Sequence, residues 1–237
     1  MAAKASLPKP TSSLEQDLLR QYPTVVGMDE VGRGSLAGPV AVGAVLIDGG
    51  AGTGPDGVAD SKLLSPRQRE ELVSPITRWS RASAVGWATP SEITNYGLTQ
   101  ALRLAGLRAL NIVVAAHRGE PLLSMRGEGA SICVLLDGKH DWLSMPQASL
   151  FGEQGVSCLE PFDVVTKIKA DQLSQVVASA SVLAKVARDT YMVALPDPGY
   201  DWAGNKGYAS RRHVTALREL GACNHHRLGW RLPGLDP

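Results

Sequence analysis

The feature that most constrains this chain is a pair of apolar runs, Thr24 to Met28 and Val40 to Ile47, joined by a glycine-rich bend that closes on Pro39. Both runs are short and rich in valine, which suits β-strands. The first ends in two acids, Asp29-Glu30, followed by Val31-Gly32-Arg33-Gly34-Ser35-Leu36-Ala37-Gly38-Pro39. The glycine spacing imitates a dinucleotide-binding fingerprint, but that fingerprint must open a helix. Here a proline and a second strand follow, so a Rossmann reading is rejected. The glycines either bring backbone amides close to a ligand or only form a tight bend.

The remaining pattern alternates strands with helices. Arg81 to Ala88 alternates as a third strand, so three early strands with short links suggest an antiparallel meander. A short helix spans Pro66 to Leu72, ended or bent by Pro75. Ser91 to Tyr96 makes a helical turn, and Leu98 to Ala116 has helical period. Gly49 to Gly57 and His117 to Ala130 read as loops. Ile132 to Leu136 is continuously apolar, as for a strand buried on both faces, and Phe162 to Thr166 is a shorter strand. Leu173 to Leu195 forms a long helix stopped at Pro196, and Arg211 to Leu220 a last helix ended by Gly221. The sum is an α/β fold, a mixed sheet with helices on its faces. The expected division is a tail with a short helix at 1-22, a main domain at 23-195 and a helical C-terminal segment at 196-237.

Composition excludes some classes. Three cysteines, Cys133, Cys158 and Cys223, among 237 residues form no paired framework, which fits a reducing compartment. The N-terminal MAAKASLPKP lacks the apolar core of a signal peptide, and the run Val40 to Ile47 is far short of a membrane span. A cytoplasmic protein with no membrane association is expected. Net charge is only +1, yet Asn205 to Arg231 holds six bases (Lys206, Arg211, Arg212, Arg218, Arg227 and Arg231) against the single acid Glu219. Such a stretch suits a phosphate-binding face, although a solvated helical surface explains it as simply. Cys223-Asn224-His225-His226 has no second pair at zinc-ligand spacing.

Two further acids repeat the pattern of the first pair. Asp137 ends the strand Ile132 to Leu136, before Gly138-Lys139, and Asp171 stands just before the long helix, where it can cap free amides. Each acid alone is explained as a turn residue or a cap. Together, strand ends and a helix start can meet at one edge of a sheet. Two charges at ~4 Å repel by roughly 4 kcal/mol at an effective dielectric of about 20. Such a cluster persists when divalent cations sit in it, and all-oxygen ligands favour Mg²⁺ or Mn²⁺. Two ions about 4 Å apart can activate water and stabilise the leaving oxygen of a phosphodiester.

At this point the residues resemble the type HII ribonucleases, over roughly Val25 to Arg227. The resemblance is carried by Gly27-Met28-Asp29-Glu30-Val31-Gly32-Arg33-Gly34 through Pro39, by Asp60-Ser61-Lys62-Leu63-Leu64-Ser65, and by Leu136-Asp137-Gly138. It continues through Lys169-Ala170-Asp171, Ala178 to Asp189, Asn205-Lys206-Gly207-Tyr208-Ala209-Ser210, and His213. Order and spacing together make it specific. Departures are Gly97-Leu98, where the family often has Asn-Ile, and a longer segment at 138–170.

The resemblance implies a ribonuclease-H-like mixed sheet flanked by helices, with a small helical C-terminal appendage. It implies that Asp29, Glu30, Asp137 and Asp171 are the catalytic and metal-binding carboxylates, holding two Mg²⁺ or Mn²⁺ ions, and that Asp189 is not among them. Gly32, Arg33 and Gly34 would hold a ribonucleotide's 2′-hydroxyl through the backbone. Tyr208 would stack at the RNA–DNA junction, Lys62 would lie by the cleaved phosphate, and Lys206 is placed for a phosphate contact. The 2′-hydroxyl alone marks a ribonucleotide in DNA, and stacking tolerates any base. The implied activity is hydrolysis of the RNA strand of RNA–DNA hybrids, and cutting 5′ of a single ribonucleotide embedded in duplex DNA, leaving a 3′-hydroxyl and a 5′-phosphate. The alternatives are a type HIII-like nuclease, whose usual N-terminal domain the roughly 22 residues before the first strand are too few to supply, and a non-catalytic hybrid binder, against which the four acids argue. A monomer is expected, and Leu228 to Pro237 holds no clear sliding-clamp motif.

Overall fold

A computed structural model describes residues 9–125, 131–144 and 161–235. The start of the expected tail, the end of the loop at His117 to Ala130, Cys158 and much of the long 138–170 segment lie outside these residues. The elements run in the order α1 (Ser13–Leu19), β1 (Thr24–Val31), β2 (Val40–Asp48), α2 (Pro66–Trp79), β3 (Ala82–Ala88), α3 (Pro90–Tyr96), α4 (Leu98–Arg118), β4 (Ile132–Asp137), β5 (Phe162–Lys167), α5 (Ala170–Leu173), α6 (Gln175–Ala194), α7 (Trp202–Asn205) and α8 (Arg211–Leu220).

The five strands form one mixed sheet in the order β3-β2-β1-β4-β5. β1, β2 and β3 pair antiparallel, whereas β4 lies parallel to β1 and β5 parallel to β4. The expected meander is therefore present in its pairing. Its second link is not short, because it carries a 3-10 turn at Ser61–Leu63 and all of α2. Alternation along the strands splits the core into two layers. Val26, Met28, Val134 and Leu136 face α4, while Val25, Val45, Cys133 and Leu135 face α6. α4 is long and apolar enough to cross a membrane by composition, but Ala101, Leu102, Ala105, Ala109, Leu110 and Val113 are buried in the sheet-facing core.

Two helices begin on matching signals. Ser65 caps α2 in a capping box with Gln68, and Thr89 caps α3 in one with Glu92, each with proline at the first helical position. Of the two effects expected of Pro75, an end or a bend, the end does not occur: α2 runs past Leu72 and through the proline to Trp79. Leu72 and Ile76, on either side of the proline, are both buried in the α6-side core, so packing outweighs the lost hydrogen bond. The long helix starts at Gln175, and its cap is Ser174, whose hydroxyl accepts from the Val177 amide. Asp171 therefore is not that helix's cap; it sits in the separate turn α5.

Helix α6 sits unusually close to the sheet. A Cβ on Gly43 would lie 2.1 Å from the Ala180 carbonyl oxygen, and one on Gly27 would lie 2.6 Å from the Val176 carbonyl carbon. On the other face, a Cβ on Gly86 would lie 2.0 Å from the Ala105 oxygen of α4. Gly43→Ala and Gly86→Ala should each destabilise the fold by about 1–3 kcal/mol, as overpacking does, measured by urea denaturation. Only Gly43→Ala should also shift the amide resonances of Asp29 and Ser181. An unchanged midpoint for Gly43→Ala would mean that α6 is not seated at this distance.

Candidate active site

Strand register places the first two acids side by side. Met28 pairs with Leu136 in the parallel β1–β4 ladder. One step further, Asp29 stands beside Asp137, the last residue of β4. Contrary to the sequence expectation, β1 does not stop at the acids but runs through them to Val31, and the period of two turns both Asp29 and Asp137 toward the α6 face. After β5 the chain reverses at Lys169, which takes a left-handed conformation (φ 59°). It then enters α5, where the Ala170 amide donates to Asp137 Oδ1 at 2.7 Å. Asp137 is thus tied to the turn that carries Asp171. The Glu30 amide donates to Asp29 Oδ1 at 2.8 Å, and Arg33 pairs with the Glu30 carboxylate at 3.3 Å.

The four acids share one electrostatic field. Burial pushes the Asp29 carboxyl up to about 8; Glu30, Asp137 and Asp171 push the same way, while a hydrogen bond from Ser181 opposes them. Burial also lifts Asp171 to about 6, helped by Asp137 and Asp60. Glu30 is raised by burial against the pull of Arg33. Burial alone would lower the Lys62 ammonium, but Asp60, Asp29, Asp171 and Asp137 together hold it above its ordinary value. Among the described residues no three His, Cys, Asp or Glu side chains close into a ready-made metal cage. The acids surround a common space without yet forming a coordination shell.

Asp60 is a fifth acid in this field. Its segment was prominent in sequence, but only Lys62 drew a role there. Asp60 is buried and accepts from the Lys62 amide at 3.0 Å and from Gln172 at 3.4 Å. It also hydrogen-bonds Asp171, one of the contacts that raise that carboxyl. Arg69 fixes the same turn by donating to the Ser61 and Leu64 carbonyls, both at 2.8 Å.

The bend after Glu30 is held from behind by two arginines to which sequence reasoning assigned no such role: Arg227 was expected on the basic surface, and Arg188 stood only within a family motif. Arg188 and Arg227 are fully buried. Arg188 donates to the carbonyls of Pro39 (2.9 Å), Lys206 (3.0 Å) and Ala37 (3.2 Å), and to the Ser35 hydroxyl (2.7 Å). Arg227 donates to the carbonyls of Gly32 (2.6 Å), Arg33 (2.8 Å) and Gly38 (3.2 Å), and to the same hydroxyl (2.9 Å). Carbonyl dipoles take the place of carboxylates here, and burial pulls both guanidinium groups below their ordinary range. Arg227 therefore leaves the expected basic surface, while Arg211, Arg212, Arg218 and Arg231 stay exposed. Gly32 has φ 85° and a Cβ there would meet Arg188. Gly34 has neither constraint: its φ is not positive and no atom lies within 4 Å of a Cβ built on it.

The C-terminal segment is fastened to this bend. The Leu36 and Ala37 amides donate to the Gly207 carbonyl at 2.8 and 3.2 Å. Tyr208 follows, exposed, with the Arg188 guanidinium 5.5 Å from its ring centre. Lys206 lies in the same segment, but its ammonium folds back onto the Ala203 carbonyl. Asp29, Glu30, Asp137, Asp171 and Lys62 thus come together, the Gly32–Gly34 bend continues from them, and Tyr208 is tied to the far side of that bend.

The ribonuclease HII family model matches residues 26–232. A ribonuclease HII of Streptomyces griseus subsp. griseus is 41% identical over 231 residues, covering 93% of this chain and 84% of its own. One of Streptomyces avermitilis is 39% identical over 225 residues, covering 93% and 83%. The crystal structure of ribonuclease H2 from Pyrococcus horikoshii OT3 superposes with a TM-score of 0.60 at 25% identity, covering 89% of this chain and 95% of that one. The ribonuclease-H-like fold is therefore present, and the chain belongs to the ribonuclease HII family, nucleases that hydrolyse RNA.

Proposed function

We propose that this ribonuclease H cuts 5′ of single ribonucleotides embedded in duplex DNA, as well as the RNA strand of RNA–DNA hybrids, leaving a 3′-hydroxyl and a 5′-phosphate. The observation that carries the reading is the common field of Asp29, Glu30, Asp137 and Asp171 at the end of two parallel strands. Members of the family depend on divalent metal ions, and the donor set here fits hard cations: the acids offer only oxygen, and two of them are pushed toward the protonated form for want of positive charge. When bound, two ions, Mg²⁺ or Mn²⁺, would supply the Lewis acidity that activates water and stabilises the leaving oxygen.

The chain's own residues do the rest. Asp29, Glu30, Asp137 and Asp171 hold the ions. Lys62, kept charged by the surrounding acids, meets an oxygen of the cleaved phosphate. The backbone of Gly32, Arg33 and Gly34 receives the 2′-hydroxyl. Neither packing nor conformation requires glycine at Gly34, which leaves close approach of a ligand as its purpose. Tyr208 stacks at the junction. Lys206 contacts a phosphate once its ammonium leaves Ala203. Residues 196-237 serve as the substrate-binding appendage of the 23-195 catalytic domain, in a monomeric, cytoplasmic enzyme.

The test is cleavage of a duplex containing one ribonucleotide, with and without Mg²⁺, with the product ends identified. Binding without cleavage would favour a hybrid-binding protein, and cleavage confined to long hybrids would favour a type HIII-like specificity. Asp171→Asn should lower cleavage on the order of 10³-fold, the several kcal/mol expected for a lost ion ligand, with the circular dichroism spectrum unchanged. Full activity would remove Asp171 from the site.

The raised carboxyl of Asp29 makes a separate prediction. Its folded value, about 8, lies above the roughly 3.9 of an unfolded aspartate. The folded state therefore holds a proton that the unfolded state releases, and stability is lost as pH rises toward about 8. In chelator, the melting temperature should fall progressively between about pH 4 and 8 and level off above that, and Asp29→Asn or added Mg²⁺ should flatten that fall. A flat wild-type profile in chelator would contradict it. Tyr208→Ala should weaken cutting at a single ribonucleotide by ~1–3 kcal/mol, the usual worth of such stacking, and general duplex binding far less; equal losses in both would make Tyr208 a packing residue.

A further inference from the structure

Behind Tyr208 lies a buried pair of histidines that the reaction does not use. His213 is in the first turn of α8, and its amide donates to the cap Ser210 at 3.1 Å. His226 comes from the segment that crosses the bend. Both rings are buried, packed against Tyr200 and Trp202. Their nitrogens stand 3.0 Å apart, Nε2 to Nε2. His226 Nδ1 faces the Cys223 amide at 3.0 Å and its thiol at 3.3 Å. His213 Nδ1 faces the Tyr208 carbonyl at 2.8 Å.

The two ends of this chain are backbone groups whose roles are fixed, and they set every proton between them. The Cys223 amide can only donate, so His226 Nδ1 accepts. A neutral His226 then carries its proton on Nε2 and donates it to His213 Nε2. His213 in turn carries its proton on Nδ1 and donates to the Tyr208 carbonyl, which can only accept. A second proton on either ring would set donor against donor. Among the described residues no carboxylate hydrogen-bonds either ring. Asp197, the nearest acid to act on His213, is occupied by the amides of Gly199, Tyr200 and Trp202. His225 and the exposed Arg211 and Arg212 are the other charges nearby, and Arg227 points into the bend. Burial, then mutual repulsion, holds His226 down to about 4, and burial lowers His213.

The same segment also grips the bend. The Gly38 amide donates to the His225 carbonyl at 2.8 Å, and the Arg227 amide to the Leu36 carbonyl at 3.0 Å. With the Leu36 and Ala37 amides bonded to Gly207, the hydrogen bonds close a ring: bend, residues 225–227, His226, His213, Tyr208, Gly207, bend. We propose that His213 and His226 are positioning residues, a permanently neutral imidazole pair that fixes Tyr208 relative to the Gly32–Gly38 bend and thereby sets the preference for a single-ribonucleotide junction over a long hybrid. This rests on the reading of Tyr208 as the stacking residue.

The test compares kcat/KM on a duplex with one ribonucleotide and on a long RNA–DNA hybrid, for His213→Ala, His213→Asn and Tyr208→Ala. His213→Ala, which strips the Tyr208 carbonyl of its imidazole donor and leaves it only the Ser210 amide at 2.8 Å, should lower the junction preference about tenfold, the scale of one net hydrogen bond. His213→Asn, whose amide can donate from nearly the Nδ1 position, should recover most of it. Nitrogen-15 spectra of histidine-labelled wild type should show unprotonated nitrogens at His226 Nδ1 and His213 Nε2, unchanged from about pH 8 to about pH 5, well below the ordinary histidine value. Should His213→Ala not fold, His213→Asn and these spectra decide. A charged ring or the opposite tautomers would overturn the proposal, as would folded His213 variants with wild-type preference while Tyr208→Ala loses it. If Tyr208→Ala also keeps the preference, the stacking reading itself fails and the proposal falls with it.

Discussion

Two acids side by side on neighbouring parallel strands repel each other, and the apolar register of β1 on β4 keeps them there. Val25, Gly27, Cys133 and Leu135 all turn to the α6 face, and a slip of one residue would turn every one of them to the other. The same register that buries these residues aligns Asp29 with Asp137. The core supplies the free energy that holds like charges together, and the strain appears as carboxyl groups displaced from their ordinary range. Fold and chemistry are coupled at this point, since the acids cannot relax apart without unpairing the centre of the sheet. Helix α6 completes the arrangement, because Gly27 and Gly43 let its backbone touch the strands and bring Ser181 to Asp29.

The bend that follows the acids is built on the opposite principle. Among the described residues no carboxylate hydrogen-bonds Arg188 or Arg227, and only Asp189 acts on Arg188 through its charge; carbonyl oxygens of the bend converge on both instead. A buried charge solvated by backbone dipoles costs less than a bare one but tolerates little rearrangement. The bend is therefore defined by what lies behind it: the Arg33 carbonyl turns inward to Arg227, while the Arg33 side chain meets only Glu30 among the hydrogen bonds and ion pairs of the described residues, and the space a Cβ would take at Gly34 is open. Ser35 joins the two guanidinium groups through one hydroxyl.

Much of this was legible in sequence, for identifiable reasons. Strands and helices followed from periodicity and caps, and the four acids stood out because each punctuates an element. Pro75 misled because local propensity cannot weigh the burial of Leu72 and Ile76 around it. A capping role for Asp171 competes in sequence with one for Ser174, three residues on, and only geometry separates them. Asp60 went unassigned because a polar residue in a loop carries no period, and its partner Asp171 lies far along the chain. Arg188 and Arg227 were hidden for a related reason: arginine is ordinarily a surface residue, and nothing local marks one whose partners are carbonyl groups far away in the chain.

The placement of Arg227 bears on how the protein is made. Synthesis is vectorial, and domains tend to fold as their residues emerge. All five strands and α6 precede Leu195, so the sheet can assemble with its acids in place while the bend still lacks one of its two internal cations and its bonds to residues 225–227. A nascent chain thus gathers its acids before its bend is braced. The bend can set fully only once Arg227 has left the ribosome, so its final shape waits on residues made after the whole sheet.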